Sequence, residues 1–183
     1  AAQVLMVAAC MTGQSENNVE QLPDTTGMKN EVVLFKGQRN RYDKAFVTAG
    51  AKLVLYGSEH EGTTDELEAV INENTACVAF VIMPFGLHGV GLEETIRVAH
   101  ERGVPVIVDA AAELPPRANL SKFHKMGADM VAFSGGKGIG GPQSSGLLAG
   151  KADLVEAAVM NSLNLDSSVA GIGRPMKVSK ENI

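Results

Sequence analysis

Tryptophan is absent from this chain, and six phenylalanines and two tyrosines bring the aromatic share to only 4%. A core without large rings must be built from aliphatic side chains, and at 45% hydrophobic over 183 residues there are enough of them for one full domain. Cysteine is scarce too. Cys10 and Cys77 lie in apolar surroundings with no CxxC and no histidine cluster nearby, which argues against a disulfide framework and a metal site and fits two buried, reduced thiols. No apolar run reaches the ~18 residues of a membrane span. The apolar N-terminal stretch also lacks the charged leader of a signal peptide, so a cytoplasmic protein is expected. Acids exceed bases by 21 to 16, for a net charge of −5, and the two signs are interspersed, so nothing suggests a nucleic-acid surface.

What is present is a regular alternation. Residues 1–11 are apolar almost all round, as in a helix buried against a sheet. A polar connection over residues 12–30 leads to a short strand, 31–35. Strands are then expected at 52–56, 77–83, 104–108 and 128–134, and helices near 42–49, 63–71 and 92–102. Thr63 with Glu66 forms a capping-box pattern at the second of these helices. Continuous apolar strands alternating with helices predict right-handed βαβ units and a doubly wound α/β sheet covered on both faces. The 145–149 strand follows the preceding one after too few residues for a helical crossover and is expected to run antiparallel. An amphipathic helix over 151–160 comes next, and residues 161–183 lose periodicity.

Two strand ends carry candidate chemistry. Lys137 sits in Ser134-Gly-Gly-Lys137-Gly-Ile-Gly-Gly141-Pro-Gln143, a glycine-rich loop directly after an apolar strand. Asp109 follows Val104-Pro-Val-Ile-Val108, at the carboxyl edge where open α/β sheets bind ligands. Taken singly, Asp109 reads equally as a turn or capping residue, and Lys137 as a surface or phosphate-binding lysine. Together they supply what pyridoxal phosphate requires: an amine for the Schiff base and an acid beside the pyridine nitrogen. A P-loop is disfavoured, because Lys137 is followed by glycine where Ser or Thr is needed. His88, after another strand, reads either as a catalytic or ring-stacking group or as a solvated loop residue.

The run from Gly135 to Lys151 resembles the cofactor-lysine segment of the selenocysteine synthase (seryl-tRNA selenium transferase) superfamily of fold-type I pyridoxal-phosphate enzymes. Leu22-Pro-Asp24-Thr-Thr-Gly-Met-Lys29 and Gly37-Gln38-Arg39-Asn40-Arg-Tyr42-Asp43 resemble its D-glucosaminate-6-phosphate ammonia-lyase branch. The resemblance implies a large cofactor domain over residues 1–160, with a phosphate loop expected before it. It also implies a connector over 161–183 toward a small C-terminal domain, and a homodimer or larger assembly.

In that family's terms Lys137 and Asp109 are catalytic, and Ala111, Ser134 and Gln38 join them in holding the cofactor. Arg174, Lys177 and Arg39 are candidates for an anionic amino acid substrate. Glutamine stands at 38 where many relatives carry an aromatic or histidine over the ring, and Ala112 where many carry a histidine after the aspartate. Tyr42 and Arg39 read either as a packing pair at a helix start or as ligand contacts. The implied reaction is elimination from an amino-sugar acid phosphate, releasing ammonia. Selenium transfer to seryl-tRNA and a cofactor-free scaffold fragment are the alternatives.

Overall fold

A computed structural model describes residues 1–83, 89–162 and 168–176. Six strands form one sheet: β1 (Glu31–Phe35), β2 (Lys52–Tyr56), β3 (Thr75–Val81), β4 (Val106–Asp109), β5 (Met130–Ser134) and β6 (Gly146–Gly150), in the order β2-β1-β3-β4-β5-β6. Neighbours pair in parallel from β2 to β5, and only β6 runs antiparallel, against β5. Among the described residues, seven α-helices join them: α1 (Ala2–Thr12), α2 (Glu16–Gln21), α3 (Lys44–Thr48), α4 (Thr64–Val70), α5 (Leu92–Glu101), α6 (Asn119–Lys125) and α7 (Ala152–Asn161). The α/β, mostly parallel architecture with one antiparallel strand is the one expected.

Side chains on a strand alternate between faces, and the core divides accordingly. Val32, Leu34, Cys77, Ala79, Ile107, Met130 and Ala132 pack on one side with α1, Phe46 of α3, and Ala157 and Ala158 of α7. Val33, Phe35, Val78, Val106, Val108, Val131 and Phe133 pack on the other with Leu67 of α4, Ile96 of α5 and Phe123 of α6. Asp109 continues the Ile107 parity, and Ser134 that of Ala132. Both therefore fall on the α1 face. Of the helices, α1 is the most deeply sunk, with Met6, Val7, Ala8 and Ala9 fully buried, each larger side chain contributing about 1.5–3 kcal/mol.

Two helices were not legible. The polar 12–30 connection contains α2, started by Ser15, whose hydroxyl accepts from Asn18 N, and a short α6 follows the Pro115-Pro116 break. At α4 both halves of the capping box are present. Among the described residues no helix is long and apolar enough to cross a membrane.

Candidate active site

An open cleft of about 620 Å³ lies at the carboxyl ends of β4 and β5, on the α1 face of the sheet. Its walls include Gln3 and Leu5 of α1, Asp109, Ala111, Ser134, Lys137 and Leu148. The size is within the usual range for small-molecule sites.

Parallel pairing explains why Asp109 and Ser134 emerge together. Asp109 stands opposite Ala132 in the β4–β5 register, and the chain stays zipped beyond it. Ala110 N donates to Ala132 O at 3.0 Å, and Ser134 N donates to Ala111 O at 3.2 Å. Ser134 is thus delivered next to Ala111, whose small side chain leaves the cleft open.

The lysine loop is clamped by its own backbone. Gly135 N donates to Ser145 O at 2.9 Å, Gly141 N to Gly135 O at 2.8 Å, and Gly140 N to Lys137 O at 2.9 Å. The last of these closes a turn over Lys137 and requires a φ of 73° at Gly140, a value glycine adopts freely. Gln143 Nε2 adds a bond to Gly136 O at 3.1 Å. Gly138 is needed for a different reason: a Cβ there would press on the Leu114 carbonyl and come within 2.8 Å of Pro115 Cδ. The Lys137 side chain is exposed, and among the described residues no hydrogen bond holds it away from the cleft.

Asp109 is half-buried, with Ala111 N donating to Oδ1 at 3.0 Å and the Gln3 amide to Oδ2. Burial pushes its carboxyl above the usual carboxylate range, while the two hydrogen bonds and the Lys137 ammonium pull the other way. The acid therefore feels the amine across one cleft. The amino end of α1, with Ala1, Ala2 and Gln3, forms another wall, and a helix end of this polarity favours an anion.

The structure brings together Lys137, Asp109, Ala111 and Ser134 but not the remaining candidates. Gln38, expected against the cofactor, is not among the residues lining the cleft. It is 4% exposed, and its side-chain oxygen accepts from Val81 N at 3.1 Å, tying the turn after β1 to the end of β3. Arg39 also lies off the cleft and pairs with Asp43. Its neighbour Tyr42 does line it, 64% exposed. Arg174 sits on an exposed turn away from the cleft, and Lys177 and His88 lie outside the described residues. Gln3, Gln143, Ser144 and Ser145 are lining residues that sequence reasoning missed. Gln143 and the two serines lie inside the recognised loop, which offered a local signal; Gln3 had none.

The set fits pyridoxal phosphate. It has an amine, a carboxylate kept as a hydrogen-bond acceptor, hydroxyls at Ser134 and Ser145, a helix amino end, and apolar walls from Ala132, Phe133 and Leu148.

Residues 37–167 match the family model of the aminotransferases class-V. Over the whole chain the protein is 36% identical to a 5'-C-glycyluridine monooxygenase-decarboxylase from Streptomyces sp, of which it covers 45%. Over 98% of the chain it is 33% identical to the D-glucosaminate-6-phosphate ammonia lyase of Salmonella typhimurium, covering 47% of that protein. A solved D-glucosaminate-6-phosphate ammonia-lyase structure superposes with a TM-score of 0.86 at 32% identity, over 98% of this chain and 47% of the other. The chain thus spans about half the length of the curated relatives it matches.

Proposed function

Because the chain belongs to the aminotransferase class-V family, we propose that its cleft is the pyridoxal-phosphate site of a lyase acting on a small anionic amino acid. The observation that carries this reading is the meeting of Lys137 and Asp109 in one cleft from the ends of adjacent strands. Bound there, the cofactor supplies an electron sink for the pair left at the substrate's α-carbon. Lys137 would hold the cofactor's aldehyde, and its amine is the base placed to take the proton from the substrate's α-carbon. Asp109 would accept from the protonated ring nitrogen. Ser134 would donate its hydroxyl to the phosphate, and Ala111 would keep the wall beside the ring low. Seating the substrate excludes water from these groups and strengthens each contact.

D-Glucosaminate 6-phosphate is the leading substrate, supported by the 33% identical relative and the TM-score of 0.86. Arg174, which does not line the described cleft, and Lys177, which lies outside the described residues, are its candidate cations. The rival is a nucleoside-linked amino acid, favoured by the 36% identical relative. Residues 1–160 form the cofactor domain, with 161–183 leading toward a second one, supported by the greater length of the relatives. A homodimer or larger assembly suits the exposed Leu120, Ile139 and Leu147, which border a small apolar groove beside the lysine loop.

Supplying the chain with pyridoxal phosphate and either substrate separates the readings. Ammonia and a keto acid released in equal amounts from D-glucosaminate 6-phosphate support the lyase. Oxygen uptake with carbon dioxide release from 5'-C-glycyluridine, and no ammonia from the sugar acid, overturns it in favour of the rival.

A further inference from the structure

The side chain that reaches Asp109 comes from the helix rather than the sheet. Gln3 Nε2 donates to Oδ2, across 106 residues of sequence, while Ala111 N takes Oδ1 at 3.0 Å. Two donors on two oxygens fix the plane of the carboxylate, yet an ionised carboxylate has about four acceptor positions, so room remains for a third donor from the cleft. Gln3 is also a cleft-lining residue, anchored by a helix whose next turns are fully buried.

The chemical type at position 3 matters. A lysine or arginine there would hold the carboxylate equally well but neutralise it. A glutamate would compete with it for a proton. An amide orients the acid and leaves its charge intact. We propose that Gln3 is a positioning residue for the cofactor site, aiming Asp109 at the ring nitrogen while reserving the carboxylate's negative charge for that nitrogen's positive one. The assignment rests on the reading that the cleft holds pyridoxal phosphate. Among the described residues, Lys137 and Tyr42 are the titratable side chains that line the cleft with Asp109, and Lys137 is the one whose charge acts on it; α1 presents the neutral amide and the chain after β4 a backbone N–H. Burial already favours the neutral acid, so losing one donor shifts the balance further toward protonation.

The test uses Gln3→Met, which keeps the length of the side chain and removes the donor, with Gln3→Ala as a second variant. Binding of pyridoxal phosphate is compared with binding of its 1-deaza analogue, whose ring carries carbon in place of nitrogen. Removing a hydrogen bond to a charged group predicts roughly tenfold weaker binding of pyridoxal phosphate and unchanged binding of the analogue. Equal weakening of both, or tighter binding of pyridoxal phosphate, overturns the proposal, because a merely structural or competing glutamine gives those results. Carbon-13 NMR of the Asp109 carboxyl in the cofactor-free chain provides a second readout, expected to move up by about one pH unit in Gln3→Met. An unmoved titration overturns the positioning role. If wild-type chain binds no pyridoxal phosphate the proposed function fails, and the NMR titration still decides what Gln3 does to Asp109.

Discussion

Lys151 Nζ lies 2.6 Å from Asp129 Oδ1, at the end of β5 opposite the cleft. Asp129 is 2% exposed and also accepts from His100 Nε2 at 2.8 Å and from Val106 N at 2.7 Å. One buried carboxylate thus joins α5, the start of β4 and the residue that precedes α7. Asp129→Ala leaves the buried Val106 amide without its acceptor and is expected to cost about 3 kcal/mol. Lys151→Ala leaves two donors in place and removes a largely exposed ammonium, so it should cost no more than about 1 kcal/mol. Urea denaturation of both variants checks the order.

Asp109, at the end of β4, and Asp129, just before β5, have opposite pH signatures. Burial works to raise Asp129, but hydrogen bonds from His100, Lys151 and Val106 N outweigh it and hold the carboxyl below its ordinary value. Its stabilisation is complete above the unfolded pKa of about 3.9 and is lost as pH falls through the lower folded value. Urea midpoints measured into the acid range should fall more steeply for wild type than for Asp129→Asn.

For Asp109 the folded pKa is raised, so its contribution to stability declines as pH rises from the unfolded value through the folded one. At neutral pH the ionised acid is a cost to the cofactor-free fold. Asp109→Asn should raise Tm at neutral pH, with the gain vanishing in acid, while weakening pyridoxal phosphate. Such an exchange of stability for function is common at active sites.

The Gly138→Ala substitution places a methyl against the Leu114 carbonyl and Pro115. The loop must move, and Lys137 moves with it. Displacement by even ~1 Å can cost a site on the order of a hundredfold. Cofactor binding, measured by titration, should fall at least tenfold in this sense while Tm changes little. Thr63→Ala provides the contrast. It removes a cap whose hydroxyl accepts from Glu66 N, so it should lower stability by about 1 kcal/mol and leave cofactor binding untouched.

The parts of the site that could be read in advance lie on strand ends. Apolar runs located β4 and β5, and their termini located Asp109 and Ser134, because a buried parallel strand has a distinctive composition. Lys137 was legible from the glycines around it. The position of Gln38 after β1 says nothing about which way its side chain turns; the Val81 amide at the end of β3 claims it. Gln3 had no local signal at all. A glutamine near the start of an apolar helix gains meaning only when the fold brings Asp109 to it. Helices α2 and α6 were lost for another reason: each buries a single apolar side chain, Val19 or Phe123, and neither carries the capping box that marked the equally short α4.

Borohydride reduction of the chain after loading with pyridoxal phosphate, followed by peptide mass spectrometry, bears most directly on the pairing of Lys137 with Asp109. A single pyridoxyl group on Lys137 is predicted, with labelling sharply reduced in Asp109→Asn at the same cofactor concentration. Label spread over surface lysines with no preference for Lys137, or undiminished by loss of the acid, would contradict it.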